Sequence, residues 1–328
     1  MTSTGRPIHP VGVGIVGAGS AARQHLAAML ACPEAVPVAV CDSDPAAVSA
    51  LLAEHPSLPG LRGLPDLDAM LADECVELIA VATPPGSHAP LALQALAGGR
   101  AVLLEKPPLL TIGELHAVIA AADARGLVTG VMLQHRFRLP RPAVNRPWTG
   151  AATASLEVVR YRPPGHYARA VWRTDPRDSG GGLVAHLGVH YLDLACQLLG
   201  VPAEISASID AVQGTQIDQR VAFTAQFADG ARLAFIGTTG VDRRSERLAV
   251  YDADRSLVVT DDSTTYSADT STTRPAPGTA SLRSEVYGDV ARAVREGRRP
   301  AVADLHGTRG VVTLIEMLHA AGIESVAA

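Results

Sequence analysis

The chain has 328 residues, of which 47% are hydrophobic and 19% charged, and its formal net charge is −5. That length allows two domains with cores of their own, and a mildly acidic chain without a basic run is not expected to bind nucleic acid. Four scattered cysteines (Cys32, Cys41, Cys75, Cys196) form no CxxC pair and read as buried thiols of a reducing compartment.

The polar start "MTSTGRPIHP" and the glycine-broken run behind it are not expected to act as a signal peptide. No stretch reads as long enough to span a bilayer. A cytoplasmic protein with no membrane partner is expected.

In chain order, "VGVGIVGAG" is an apolar strand ending in glycines, "SAARQHLAAMLAC" has a helical pattern, and "AVPVAVCD" is a second strand. "DPAAVSALLAEH" is helical, "VELIAVATPP" a strand, and "SHAPLALQALAGG" a helix closed by glycines. "RAVLLEKP" is a strand, "TIGELHAVIAAADARG" a helix, and "LVTGVML" a strand. Strands alternating with helices of this length predict βαβ units and a parallel sheet over residues 1–130.

The rhythm then changes. "HRFRLPRPAVNRPWTG" is rich in Pro and Arg and holds no clear element. Antiparallel strands are expected in "AATASLEVVRYR", "AEISASIDAV", "RVAFTAQFADGARLAFIGTTG" and "ERLAVYDADRSLVVT", with Asp229-Gly230 marking a hairpin. One long helix, "GLVAHLGVHYLDLACQLLG", interrupts them, and two helices close the chain. Residues 261–281 read as a mobile polar loop. The expected fold is α/β: an N-terminal dinucleotide-binding domain (1–130) and a C-terminal α+β domain on a mainly antiparallel sheet (131–328).

Gly17-Ala18-Gly19-Ser20-Ala21-Ala22 fits G-x-G-x-x-G/A between a strand and a helix. The first glycine allows a tight turn, the second lets backbone approach a pyrophosphate, and the small last residue lets helix and strand pack closely. Asp42 ends the next strand, where an acid would take the ribose hydroxyls, and Ser43 follows. No arginine stands nearby for a 2′-phosphate. NAD(H) is therefore expected rather than NADP(H).

Lys106 is the chain's one lysine, against 27 arginines. A chain that uses arginine for every other basic side chain has kept one ammonium, and the two groups are not equivalent. An ammonium is compact, donates to a single oxygen and titrates when desolvated, while guanidinium is planar and permanently charged.

"ATPPGSHAPLALQALAGGRAVLLEKP" and "RTDPRDSGGGLVAHLGVHYLDL" together resemble the glucose–fructose oxidoreductase / inositol dehydrogenase (Gfo/Idh/MocA-type) family of NAD(P)-dependent oxidoreductases. The matching residues are Thr83, Pro84, His88, Glu105, Lys106 and Pro107, then Gly180–Gly182, Gly188, His190 and Asp193. The resemblance extends over essentially the whole chain. It implies hydride transfer between nicotinamide and a hydroxyl- or ketone-bearing carbon of a sugar, inositol or derivative.

In that picture Thr83, Pro84, His88, Glu105 and Lys106 lie on the cofactor side, and Lys106 and His190 manage the substrate oxygen and its proton. Arg136, Tyr161, Trp172 and Arg173 lie where relatives place substrate contacts. A homodimer or homotetramer is implied as well.

One departure stands out. Many relatives carry Asp four residues before the histidine, and this chain carries His186. His186 could bind substrate, share the proton relay with His190, or mark an altered or lost reaction. A non-catalytic NAD-binding regulator and an NAD-dependent glycoside-cleaving enzyme with transient oxidation are the alternatives. Histidines at i, i+4 also suit zinc, but no Glu follows His186 and no third ligand is evident, so no metal is expected. Asp193 reads as holding its helix in place. His9, His25, His55, His116, His306 and His319 read as structural or solvated.

Overall fold

A computed structural model describes residues 9–163, 165–167, 170–212 and 214–322. The polar start read above as lacking a leader lies mostly outside them.

The first domain runs β1 (Val11–Val16), α1 (Ser20–Leu30), β2 (Ala35–Cys41), α2 (Pro45–Glu54), β3 (Arg62–Gly63) and α3 (Leu67–Leu71). It continues with β4 (Leu78–Val81), α4 (His88–Ala97), β5 (Ala101–Leu104), α5 (Ile112–Asp123) and β6 (Thr129–Val131). The strands form one parallel sheet in the order β3-β2-β1-β4-β5-β6. Every residue of β1, β4 and β5 is buried, as a sheet covered on both faces requires. Chain order reverses direction between β1 and β4, and ligands of such sheets bind beyond the strand ends there.

The second domain holds α6 (Arg141–Asn145), β7 (Thr153–Arg160), α7 (Pro176–Ser179), α8 (Val189–Leu199), β8 (Pro202–Ala211), β9 (Asp218–Phe227) and β10 (Arg232–Thr238). β11 (Arg244–Tyr251), β12 (Ser256–Thr260), β13 (Ser263–Ser267) and β14 (Ser271–Pro275) follow. Its eight strands are ordered β14-β13-β12-β11-β7-β10-β9-β8, antiparallel except where β10 runs parallel to β7. Alternate residues such as Leu156, Phe223 and Phe235 are buried in one core with residues of α8 and α10 (Arg309–Ala321), and Phe223 stacks on Phe235 at 4.7 Å.

Three expectations are corrected. Residues 263–275 are the hairpin β13–β14, not a loop. It is held by backbone pairing and by Thr265–Thr273 and Ser267–Ser271 hydroxyl contacts of 2.9 Å, and its Ser and Thr suit an edge that water reaches. Second, α9 (Thr279–Glu296) buries Val286, Tyr287 and Val290 in the core beneath the first sheet, beside α1. The chain returns to its first domain there, so one cut at residue 130 misplaces this helix.

Third, the helical run Pro176–Leu199 is long and apolar enough to cross a bilayer. Its apolar window is 83% buried inside the second domain, where it serves as core.

Candidate active site

A cavity of 1280 Å³ lies between the C-terminal ends of the first sheet and the second domain. On one side it is floored by the glycine turn. Gly17 has φ +102°, and a Cβ there would lie 2.8 Å from the Ala82 carbonyl oxygen. Gly17 N–H donates to Cys41 O at 2.8 Å, tying the turn to the end of β2. At Gly19 an added Cβ would meet no protein atom within 4 Å, because that position opens onto the cavity.

α1 begins at this turn with no side-chain cap, so its first amides are left for a ligand. Ala22 is fully buried and serves the close packing of α1 rather than ligand contact, and Ala18 is buried too. Ala18 N–H donates to Asp42 Oδ2 at 2.6 Å, and Asp44 N–H donates to Asp42 Oδ1 at 2.9 Å. These two bonds fix the carboxylate at the cavity edge beside Ser43, with lone pairs remaining for hydroxyls. An open glycine, an uncapped helix start and a clamped acid fit a dinucleotide.

Thr83 and Pro84 line the cavity beyond β4. His88 does not reach it. Its ring is fully buried, with Nδ1 3.0 Å from Pro107 O and Nε2 3.0 Å from Thr83 O. It ties the loops after β4 and β5 to each other and is not a cofactor contact.

Glu105 sits in a buried knot. Its Oε1 pairs with Arg283 of α9 and lies 3.2 Å from His25 Nε2, and Oε2 accepts Lys106 N–H at 3.0 Å. His25 Nδ1 meets Tyr287 Oη at 2.6 Å. Burial alone would raise the Glu105 carboxyl, yet Arg283, His25 and Lys106 hold it well below the usual carboxylate range. The knot fixes the backbone from which Lys106 projects.

Lys106 Nζ donates to His186 O at 2.7 Å. Burial pushes its pKa down to about 8, with Arg283, Arg160 and Arg162 acting in the same direction and Glu105 against it.

The glycine run shapes the opposite wall. Gly180 and Gly181 have φ +73° and +115°. Asp218 accepts from the amides of Gly182 and Val184, capping the helix start as a carboxylate should. A π-helical turn, Val184–Gly188, then leads into α8, the kind of local bulge that often marks a functional site.

His186 and His190 both line the cavity, and His135 joins them, its ring 4.6 Å from that of His190. Burial drives His135 and His186 down to about 3 and His190 well below its ordinary value. All three rings are neutral near pH 7. His186 Nε2, His190 Nδ1 and His135 Nδ1 are buried without a hydrogen-bond partner among the described residues. Trp172 lies 5.9 Å from the His186 ring and carries the Arg173 guanidinium 4.4 Å above its own.

Two expected substrate contacts lie elsewhere. Arg136 is buried in a two-point pair with Asp193 (2.7 and 2.6 Å) and donates to Asp304 O at 2.9 Å, so the pair ties α8 to the segments around residues 136 and 304. Tyr161 is exposed, because the extended chain turns Arg160 and Arg162 inward and Tyr161 out. Residues the sequence reading missed are His135, Arg138, Arg160, Arg162 and Glu246. The Arg-Tyr-Arg alternation at the end of β7 was the available signal for two of them.

These features define a two-domain dinucleotide-binding architecture. Residues 11–133 match the family model described as "Oxidoreductase family, NAD-binding Rossmann fold", and residues 151–258 match "GFO/IDH/MocA C-terminal domain". The chain belongs to the GFO/IDH/MocA oxidoreductase family.

It is 29% identical over 212 residues to D-glucoside 3-dehydrogenase of Escherichia coli, covering 63% of this chain and 60% of that protein. It is 26% identical over 156 residues to scyllo-inositol 2-dehydrogenase (NADP(+)) of Bacillus subtilis, covering 46% and 42%. The chain thus spans roughly half the length of these curated relatives. A solved levoglucosan dehydrogenase in complex with NADH superposes with TM-score 0.81 at 17% identity, covering 97% of this chain and 100% of that one. That likeness shows the shared fold.

Proposed function

We propose that this protein is an NAD(H)-dependent dehydrogenase or ketoreductase acting on a hydroxyl or ketone carbon of a sugar, inositol or sugar derivative. The observation that carries the reading is Lys106: the chain's one ammonium, at the seam of the two domains, fixed by Glu105, donating to His186 O, with a pKa near 8. A bound nicotinamide would supply the hydride acceptor or donor.

The chain's residues supply the rest. The glycine turn and the α1 amides hold the phosphates, and Asp42 holds the ribose hydroxyls. Asp42 favours NAD(H), although one relative is named for NADP(+). Lys106 points one N–H at the substrate oxygen and carries its proton, since it is the group poised nearest working pH. His190 and His186 stay neutral and orient the substrate through their unpartnered ring nitrogens. No carboxylate of the described residues forms an ion pair with either ring, and burial keeps both histidines weakly basic.

We assign the protein to the cytoplasm. Pairing into a dimer or tetramer through the outer face of the second sheet is supported by the exposed Ile236 and Tyr251.

The test incubates the protein with NAD⁺ and separate pools of inositols, neutral sugars, glycosides, hexuronates and hexose 6-phosphates, following nicotinamide reduction, with Lys106→Arg in parallel. Turnover lost in the variant is expected. Tight NADH binding with no turnover on any pool would defeat the dehydrogenase reading in favour of a regulator.

A further inference from the structure

The reacting end of the cavity carries more positive charge than its acids match, in a chain whose net charge is −5. Lys106, Arg138, Arg160, Arg162, Arg173 and Arg244 line it. Glu246 and Asp261 line it too, while Glu105 is neutralised by Arg283.

The pairing is uneven. Buried Glu246 takes Arg160 at 3.1 Å and Arg244 at 3.2 Å, and Arg244 also lies 3.7 Å from Asp261. Arg138 donates to Tyr191 Oη and to the Ser263 carbonyl at 2.8 Å. Arg162 is different. Its guanidinium donates to the carbonyl of its own neighbour, Tyr161, at 3.2 Å, and no carboxylate of the described residues forms an ion pair with it.

Burial, then the adjacent Arg160 and Arg173, lower its pKa and outweigh the pull of the more distant Glu246, so the guanidinium is partly stripped of water and repelled by its neighbours. A half-buried cation in that position costs free energy until an anion arrives. Arg173, stacked on Trp172, stands at the same wall.

The dinucleotide phosphates do not account for this charge, since their seat is the glycine turn across the cavity. A neutral sugar would satisfy N–H groups but leave the charge uncompensated. An oxyanion matches a guanidinium fork in both charge and shape.

We propose that the substrate is an acidic sugar derivative, a carbohydrate bearing a carboxylate or a phosphate whose oxygens seat on Arg162 with Arg173 beside it. This rests on the dehydrogenase reading and narrows its substrate class. The anion anchors the ring while its reacting carbon faces Lys106, and Arg162 is a specificity determinant.

The test is thermal unfolding of the NADH-loaded protein with pooled hexuronates, pooled hexose 6-phosphates, pooled neutral hexoses, or sulfate, at matched ionic strength. An acidic pool should raise the midpoint by several degrees more than the hexoses or sulfate, as ligand linkage requires. Arg162→Gln should lower affinity for that pool about 10- to 100-fold, the loss of one charge-assisted bond. Arg247→Gln, the same charge change on the exposed side of β11, should not.

A leading hexuronate pool identifies a carboxylate, and a leading phosphate pool identifies a phosphate. Equal shifts in all pools, a sulfate shift as large as the sugar's, no shift with either acidic pool, or a preference surviving Arg162→Gln would each overturn the proposal. The two readings fail separately. Turnover of neutral hexoses alone sinks this one and keeps the dehydrogenase. Arg162-dependent binding of an acidic pool without nicotinamide reduction does the reverse.

Discussion

The glycine turn gathers its working atoms within six consecutive residues, Gly17 to Ala22, with Asp42 one strand away. The facing wall draws Lys106, His135, Arg162 and His190 from four segments that meet only when both domains are folded. The first site is mostly backbone and acts by leaving room and amides. The second is side chains, and its electrostatics arise from burial. Damage to the first should therefore appear as lost folding or lost cofactor, and damage to the second as lost chemistry.

The largest expected effect lies in the second region. Lys106→Arg keeps the charge but cannot titrate, so kcat should fall about 10²- to 10⁴-fold. Titration with NADH should show affinity nearly unchanged. A comparable loss of NADH binding would mean that Lys106 serves the cofactor and would blur the comparison.

Within the glycine turn, two substitutions should separate folding from binding. Gly17→Ala forces a side chain into φ +102° and against Ala82 O, costing about 2–4 kcal/mol in denaturant unfolding. Gly19→Ala meets nothing in the protein and has ordinary backbone angles (φ −77°). Its stability should change by less than about 1 kcal/mol, while NADH affinity drops tenfold or more. Matching losses at both positions would show that the space at Gly19 belongs to the fold.

Asp218 is the corresponding backbone device of the second wall. Asp218→Ala strips two amides of their charge-assisted bonds and should cost about 3 kcal/mol, with Asp218→Asn costing about half. Because those bonds set the turn that carries His186, kcat should fall in the folded Asn variant while NADH affinity holds.

The same contrast explains what the sequence revealed. The parallel sheet, the glycine turn, Asp42 and Lys106 were legible because each is local: a strand–turn–helix period, a spacing, or one odd residue. The polar hairpin β13–β14 was not, since Ser and Thr carry no apolar period when water reaches an edge strand. The place of α9 was hidden because it packs against a sheet formed more than 140 residues earlier in the chain. Arg136 and Tyr161 misled for a different reason. A position beside a site does not say which way its side chain turns, and the flanking His135, Arg160 and Arg162 reach the cavity instead.

The smallest expected effect is in the pH profile, which decides which group moves the proton. If Lys106 is the carrier, alcohol oxidation needs the neutral amine, so kcat/KM should rise tenfold per unit up to about pH 8 and then level. Ketone reduction needs the ammonium and should be flat below pH 8 and fall above it. The two limbs bend at one pH because one group serves both directions. A bound anionic substrate favours the charged amine, so the bend in kcat should lie at higher pH than the bend in kcat/KM. His190 and His186, held neutral by burial, would give no bend between pH 6 and 9. A bend near pH 6.5 would instead mean that substrate binding restores a histidine to its ordinary basicity, and the proton would pass to the helix rather than to the lysine.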